Sequence, residues 1–164
     1  MPIYHTLGSI PHKRHTAFRQ PNGKLYAEEL VSTEGFSSLY SLVYHTHPPT
    51  IVKELGTPYS VEPKIARAKH LRHTSLIGFD IAPQDDYLES RKPVLVNSDL
   101  HISLAAPRYS MTDYFYKNSQ ADEVVFIHKG TGVLKTGYGQ IRFEYGDYLV
   151  IPRGIIYQME FDTT

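Results

Sequence analysis

The chain has 164 residues, 41% of them hydrophobic and 21% charged, which suits one globular domain with an attached arm rather than a disordered polymer. Lysine plus arginine equals aspartate plus glutamate at 17 each, so no net charge draws the chain to nucleic acid or anionic lipid, and neither is expected as a partner. The absence of cysteine excludes disulfides, thiolate metal sites and cysteine nucleophiles, and it fits a cytoplasmic protein. No apolar run approaches the roughly 18 residues of a membrane helix, and Met1-Pro2-Ile3-Tyr4-His5 lacks the apolar core of a signal peptide. A chain this long buries roughly 70% of its unfolded surface, enough for a real core without staples. Its 13 tyrosines lean towards half-buried strands.

Residues 1–38 show little periodicity and read as an arm or edge layer. His12-Lys13-Arg14-His15 is a basic cluster, and Gln20-Pro21-Asn22-Gly23 is a turn signal. Ser38 to His47 holds Leu39, Tyr40, Leu42, Val43 and Tyr44, a strand that stops at Pro48-Pro49. The arm and first strand are assigned to residues 1–50. Residues 51–98 read as a loop-rich connection, rich in proline from residue 55 onward. A short helix from Pro63 to Leu71 is conceivable there, but its apolar face is thin.

From Leu100 the pattern becomes regular, and residues 99–164 are assigned to a β core. Leu100 to Leu104 alternates with period two, and Glu123 to His128 is rich in β-branched and aromatic residues. Lys129-Gly130-Thr131-Gly132 turns the chain into a strand from Gly132 to Thr136. Ile141, Phe143 and Tyr145 alternate with Gln140, Arg142 and Glu144 as a half-buried strand. Gly146-Asp147 turns into Tyr148–Ile151, and Pro152-Arg153-Gly154 turns into Ile155–Phe161. Short strands separated by glycine turns indicate a sandwich or barrel. The chain ends directly after this last apolar strand, so a C-terminal truncation, an exposed apolar edge and self-association are expected.

The spacings in this stretch resemble a cupin metal site. Glu123 is followed after six residues by Gly130; Gly146 is followed after five by Pro152, then by Gly154 and Tyr157. The fold expected is therefore all-β, a cupin-like (double-stranded β-helix, or jelly-roll) barrel with an irregular N-terminal arm. Gly130 and Gly146 suit hairpin corners, and Pro152 and Gly154 suit a strand end with a sharp bend. A metal-binding cupin has two histidines shortly before that glutamate and a third where Tyr157 stands. Here the upstream positions are Tyr116 and Asn118, or Lys117 and Ser119 if the gap is one shorter. Non-haem Fe(II) chemistry generally needs neutral imidazoles beside a carboxylate, with open coordination positions. Tyr116, Asn118, Glu123 and Tyr157 offer one carboxylate and no imidazole, so they read as degenerate positions and Glu123 as a satisfied carboxylate at a barrel mouth. His45 and His47, two apart, would face one side of a strand and form a weak alternative half-site. His12, His15, His70, His73, His101 and His128 have no partner assignable from the sequence.

The arm carries a further resemblance. Lys13-Arg14-His15-Thr16, Phe18-Arg19, Pro21-Asn22-Gly23, Leu25-Tyr26, Glu28-Glu29-Leu30, Gly35-Phe36-Ser37-Ser38, Tyr44-His45 and Pro49-Thr50 resemble the start of the homogentisate 1,2-dioxygenase family. Tyr116-Lys117-Asn118, Asp122-Glu123, Gly130-Thr131-Gly132, Thr136, Gly139, Gly146-Asp147-Tyr148 and Ile151-Pro152-Arg153 resemble its N-terminal, cupin-like half. Residues 51–95 match least specifically.

The resemblance implies O2-dependent opening of the homogentisate ring to maleylacetoacetate, in tyrosine and phenylalanine catabolism. It implies one Fe(II) held by two histidines and a glutamate of the C-terminal half, and assembly as trimers or dimers of trimers. No ligand of that half maps onto this chain, so no catalytic or metal residue and no cofactor is expected in residues 1–164. The chain would supply scaffold and assembly surface and be inactive by itself. Arg14 and Arg19 are weak candidates to reach a substrate carboxylate across an interface, against ordinary interface salt bridges. The residues leave open a freestanding non-enzymatic cupin used for binding or assembly, and a small metallocupin recruiting His45 and His47.

Overall fold

The computed structural model describes residues 18–48, 52–67, 70 and 72–162. The basic cluster with Arg14 lies outside them. The chain divides into two compact units, Met1–Ser60 and Val61–Thr164. Among the described residues no helix is long and apolar enough to cross a membrane.

The first unit is built on a hairpin of β1 (Ala27–Glu34) and β2 (Ser37–His45), paired antiparallel with Leu30 opposite Leu42 and Glu28 opposite Tyr44. The expected turn at residues 20–23 forms: Gly23 has φ 80° and its N–H donates to the Gln20 carbonyl at 2.9 Å. Strand β2 falls where the aromatic and branched residues place it, but it ends at His45. Strand β1 corrects the reading of residues 1–38 as lacking periodic structure. Its sequence, Ala-Glu-Glu-Leu-Val-Ser-Thr-Glu, has no apolar alternation to read. Backbone pairing with β2 makes it a strand, not a buried face of its own. Edge-to-face packing of Phe18 on Tyr44, with centroids 4.7 Å apart, adds to a hairpin that two strands alone would hold only marginally.

In the second unit the described residues from 61 to 77, inside the stretch read as a loop-rich connection, carry no helix or strand. A 3-10 turn at Gly78–Asp80, the one-turn helix α1 (Tyr87–Ser90) and strand β3 (Lys92–Val96) then depart from it. Pro93 hides β3 from a sequence reading, since proline breaks ladders. Here β3 has one partner, β4 (His101–Leu104), and the register shifts between Pro93 and Leu95.

The remaining strands are β5 (Tyr116–Lys117), β6 (Glu123–Phe126), β7 (Gly132–Thr136), β8 (Gly139–Phe143), β9 (Tyr148–Ile151) and β10 (Ile156–Phe161). They form an antiparallel four-stranded sheet in the order β5-β10-β7-β8 and a two-stranded sheet of β6 and β9. The protein is all-β, as expected. Gly130, Gly146 and Gly154 take φ values of 91°, 94° and 84° at the expected corners.

Both sheets contribute to one core. Leu134, Phe143, Tyr157 and Met159 come from the larger sheet, and Leu149 and Ile151 from β9. Ile127, Met111 and Tyr87 join them. Each such side chain, fully buried, stabilises the fold by roughly 1.5–3 kcal/mol. The alternation expected for residues 140–145 is covered only at Phe143: Ile141 is 56% and Tyr145 69% exposed. Strand β8 is the sheet's edge, and β8 ends before Tyr145. The outer faces of β6 and β9 pair Val124 with Val150 and Phe126 with Tyr148, all exposed.

The closest backbone approach lies at Gly132. A Cβ there would stand 2.1 Å from the Glu160 carbonyl oxygen and 2.6 Å from Cζ of Phe143. Gly132→Ala is therefore expected to destabilise the fold by about 1–3 kcal/mol. Gly137→Ala, whose Cβ meets nothing within 4 Å, should be near neutral. Thermal unfolding followed by circular dichroism checks this, and equal midpoints for the two variants would contradict it.

Candidate functional site

Strands β5, β6 and β10 bring the degenerate cupin positions together. Tyr116 and Asn118 alternate inward with Lys117 and Ser119 exposed, which decides between the two possible frames. Tyr116 lies opposite Tyr157 in the β5–β10 pairing, and their rings meet edge to face at 5.5 Å. Glu123 opens β6 opposite Ile151. The Tyr157 hydroxyl donates to Glu123 Oε2 at 2.7 Å, and Asn118 Nδ2 donates to Glu123 Oε1 at 3.3 Å. Asn118 also holds the loop that follows it, its Oδ1 accepting from the N–H groups of Gln120 and Ala121.

The decisive member is one that sequence reasoning missed. Arg91 Nη1 donates to Glu123 Oε1 at 3.0 Å, with side-chain exposures of 27% for Arg91 and 12% for Glu123. Arg91 Nη2 reaches the Tyr116 hydroxyl at 3.4 Å. The guanidinium carbon lies 5.1 Å from the Tyr116 ring centroid and 5.7 Å from that of Tyr87, within cation–π range. Arg91 ends α1 as its C-cap, and Asp86 starts α1 as its N-cap. Asp86 Oδ1 accepts from the N–H of Leu88 at 2.7 Å and of Glu89 at 3.0 Å, and Oδ2 accepts from the Tyr114 hydroxyl. A single turn has no length with which to stabilise itself, so this cap aims Arg91. The available signal was Asp86-Tyr87-Leu88-Glu89, the Asp-x-x-Glu pattern of a helix start inside a stretch read as loop.

Electrostatics follow this geometry. Burial raises the Tyr157 hydroxyl well above its ordinary value, and the hydrogen bond to Glu123 and the negative charge of that carboxylate raise it further. Burial likewise raises Tyr87. Desolvation works against the charge on Arg91, but the negative charge of Glu123 favours it, and the group ends above its already high value. The cluster therefore holds a permanent cation, with Tyr87 and Tyr157 keeping their protons at neutral pH. Nearby, the N–H of Arg153 donates to Asp122 Oδ1 at 2.9 Å, which holds that carboxyl below its usual range. This ties the loop before β6 to the turn before β10.

The donor set does not fit an Fe(II) ion. Neutral nitrogen ligands are lacking at all four positions, and both oxygens of Glu123 already accept hydrogen bonds. Tyr157 directs its proton at that carboxylate, which leaves no phenolate ligand. Among the described residues no group of three or more histidine, cysteine, aspartate or glutamate side chains is placed to hold a metal. His45 and His47 do not share the expected strand, because β2 ends at His45 and His47 lies in the bend beyond it. His45 Nε2 instead meets Glu29 Oε2 at 2.7 Å, a diagonal cross-strand contact. Arg19 Nη1 donates to the Gly23 carbonyl of its own turn at 2.9 Å.

Because Asp86 aims Arg91, Asp86→Ala is expected to lower stability by about 1–2 kcal/mol. In urea unfolding the midpoint should fall with the slope unchanged. An unaltered midpoint would show that α1 needs no cap.

No protein-family profile matches the chain. The chain is similar to a protein named "Putative dioxygenase" from Saccharolobus solfataricus, with 37% identity over 161 residues. That alignment takes in 98% of this chain and 42% of the relative, so the chain spans about two fifths of the length of the curated relative it matches.

Proposed function

We propose that residues 1–164 act as the N-terminal part of a dioxygenase-like enzyme, supplying scaffold and assembly surface rather than the metal site. The observation that carries this reading is the engagement of Glu123: Oε1 accepts from Arg91 and Asn118, and Oε2 accepts from Tyr157. A carboxylate so engaged is a structural tie. Similarity over nearly the whole chain to two fifths of a protein named as a dioxygenase supports the enzymatic context. The finer reading follows the motifs of the arm and strands: ring cleavage of homogentisate by O2 to maleylacetoacetate, with Fe(II) bound by residues outside this chain. In that arrangement one half of a duplicated barrel would keep its packing while residues of the other would hold the iron, which would supply the oxygen chemistry.

The exposed pairs Val124–Val150 and Phe126–Tyr148 give the scaffold an apolar face suited to assembly into a homo-oligomer. A hydrogen-bonded cluster of this kind serves a freestanding, non-enzymatic assembly module equally well. O2 uptake separates this module from the enzyme reading once a longer polypeptide containing these residues is tested.

Purified chain 1–164 is expected to consume no O2 with homogentisate and Fe(II), as measured with an oxygen electrode; ring cleavage by this chain would overturn the scaffold reading. In sedimentation velocity the chain is expected to self-associate, and Val150→Glu should shift it towards monomer. A wild-type chain that stays monomeric at high concentration would remove the assembly role.

A further inference from the structure

A carboxylate drawn into a barrel needs a cation, because burying it alone is strongly unfavourable. Metal-binding cupins meet that need with an ion. Here the same position meets it differently, and the two solutions exclude each other. The Arg91 guanidinium lies 3.0 Å from Glu123 Oε1, with the Tyr116 and Tyr87 rings beside it at 5.1 and 5.7 Å.

We propose that Arg91 takes the electrostatic place of a metal ion at Glu123, so that this barrel mouth is closed to divalent cations by a cation of its own. An incoming ion would have to take Glu123 away from Arg91 and leave the guanidinium only partly exposed and unpaired. A lysine or histidine in that place would be able to release its proton and make room; a guanidinium does not deprotonate in proteins. The surroundings reinforce the arrangement. Ring faces attract a cation, and the hydroxyls of Tyr116 and Tyr157 are turned to Arg91 and Glu123 respectively. Asp86, by capping α1, is the positioning residue that delivers Arg91. The inference concerns this cluster alone and holds whether or not the longer polypeptide cleaves homogentisate.

The test is a double-mutant cycle on the intact chain with Arg91→Met, Glu123→Gln and both together, read by thermal midpoint, with Mn(II) as probe. Each single change is expected to lower the midpoint, Arg91→Met most, and the double variant to recover part of the Arg91→Met loss because no buried charge is left unpaired. Additive losses would overturn the proposal. Millimolar Mn(II) should leave the wild type unmoved and raise the midpoint of Arg91→Met by several degrees, an effect absent from the double variant. If Arg91→Met does not fold, Arg91→Lys takes its place, with a smaller loss and a Mn(II) response that grows as pH rises and the ammonium loses its proton. Stoichiometric Mn(II) binding by the wild type in equilibrium dialysis, lost in Glu123→Gln, would overturn the proposal. So would a Mn(II) response missing from both Arg91 variants.

Discussion

The Arg91–Glu123 pair is the constraint around which the second unit is organised. A carboxylate at the start of β6 faces inward beside the buried Tyr157, and the charge opposite it comes from a residue 32 positions earlier in the chain. Such a pair contributes little net stability compared with a well-packed apolar substitute, yet losing one partner is costly. It therefore acts as a specification: α1, β5, β6 and β10 must meet in one arrangement or a part-buried charge is stranded. The surrounding bonds are consistent with that role. Tyr157, Asn118 and Tyr116 each point a polar atom at the pair, and among the described residues no buried side-chain nitrogen or oxygen lacks a hydrogen-bond partner.

This organisation gives a physical meaning to the lost ligands. A cupin-like position without histidines is an electrostatic problem, because a glutamate turned inward with no imidazole or metal beside it needs another source of positive charge. The solution requires a rigid donor of fixed charge, delivered by a segment outside the barrel strands. Helix α1 does this in a single turn, stabilised by the Asp86 cap and by Tyr114 bonded to the same carboxylate. The outer face of β6 and β9 remains apolar and exposed, at Val124, Val150, Phe126 and Tyr148.

Parts of this were legible without coordinates. Strands β2, β4 and β6 to β10 could be read from their branched and aromatic residues, helped from β6 onward by glycine turns whose backbone demands are local. Strands β1 and β3 could not. Glutamates along β1 and Pro93 in β3 erase the period-two signal, and those strands exist because a partner supplies their hydrogen bonds. The two-residue spacing suggested that His45 and His47 share a face, but the strand stops between them.

By itself the sequence determined the all-β class and the glycine corners, while its cupin-like spacing pointed to one locus at Glu123 and Tyr157 and left Tyr116 and Asn118 or Lys117 and Ser119 open beside them. All of these follow from short-range rules: alternation along a strand, positive φ at a turn, and fixed spacing between hairpins. Only the tertiary structure decided what stands at that locus. Arg91 and Glu123 are far apart in the chain, and neither residue type announces the other. Charge neutralisation in a low-dielectric interior depends on distances of a few ångströms, which the packing of α1 against the strands sets and local sequence does not encode.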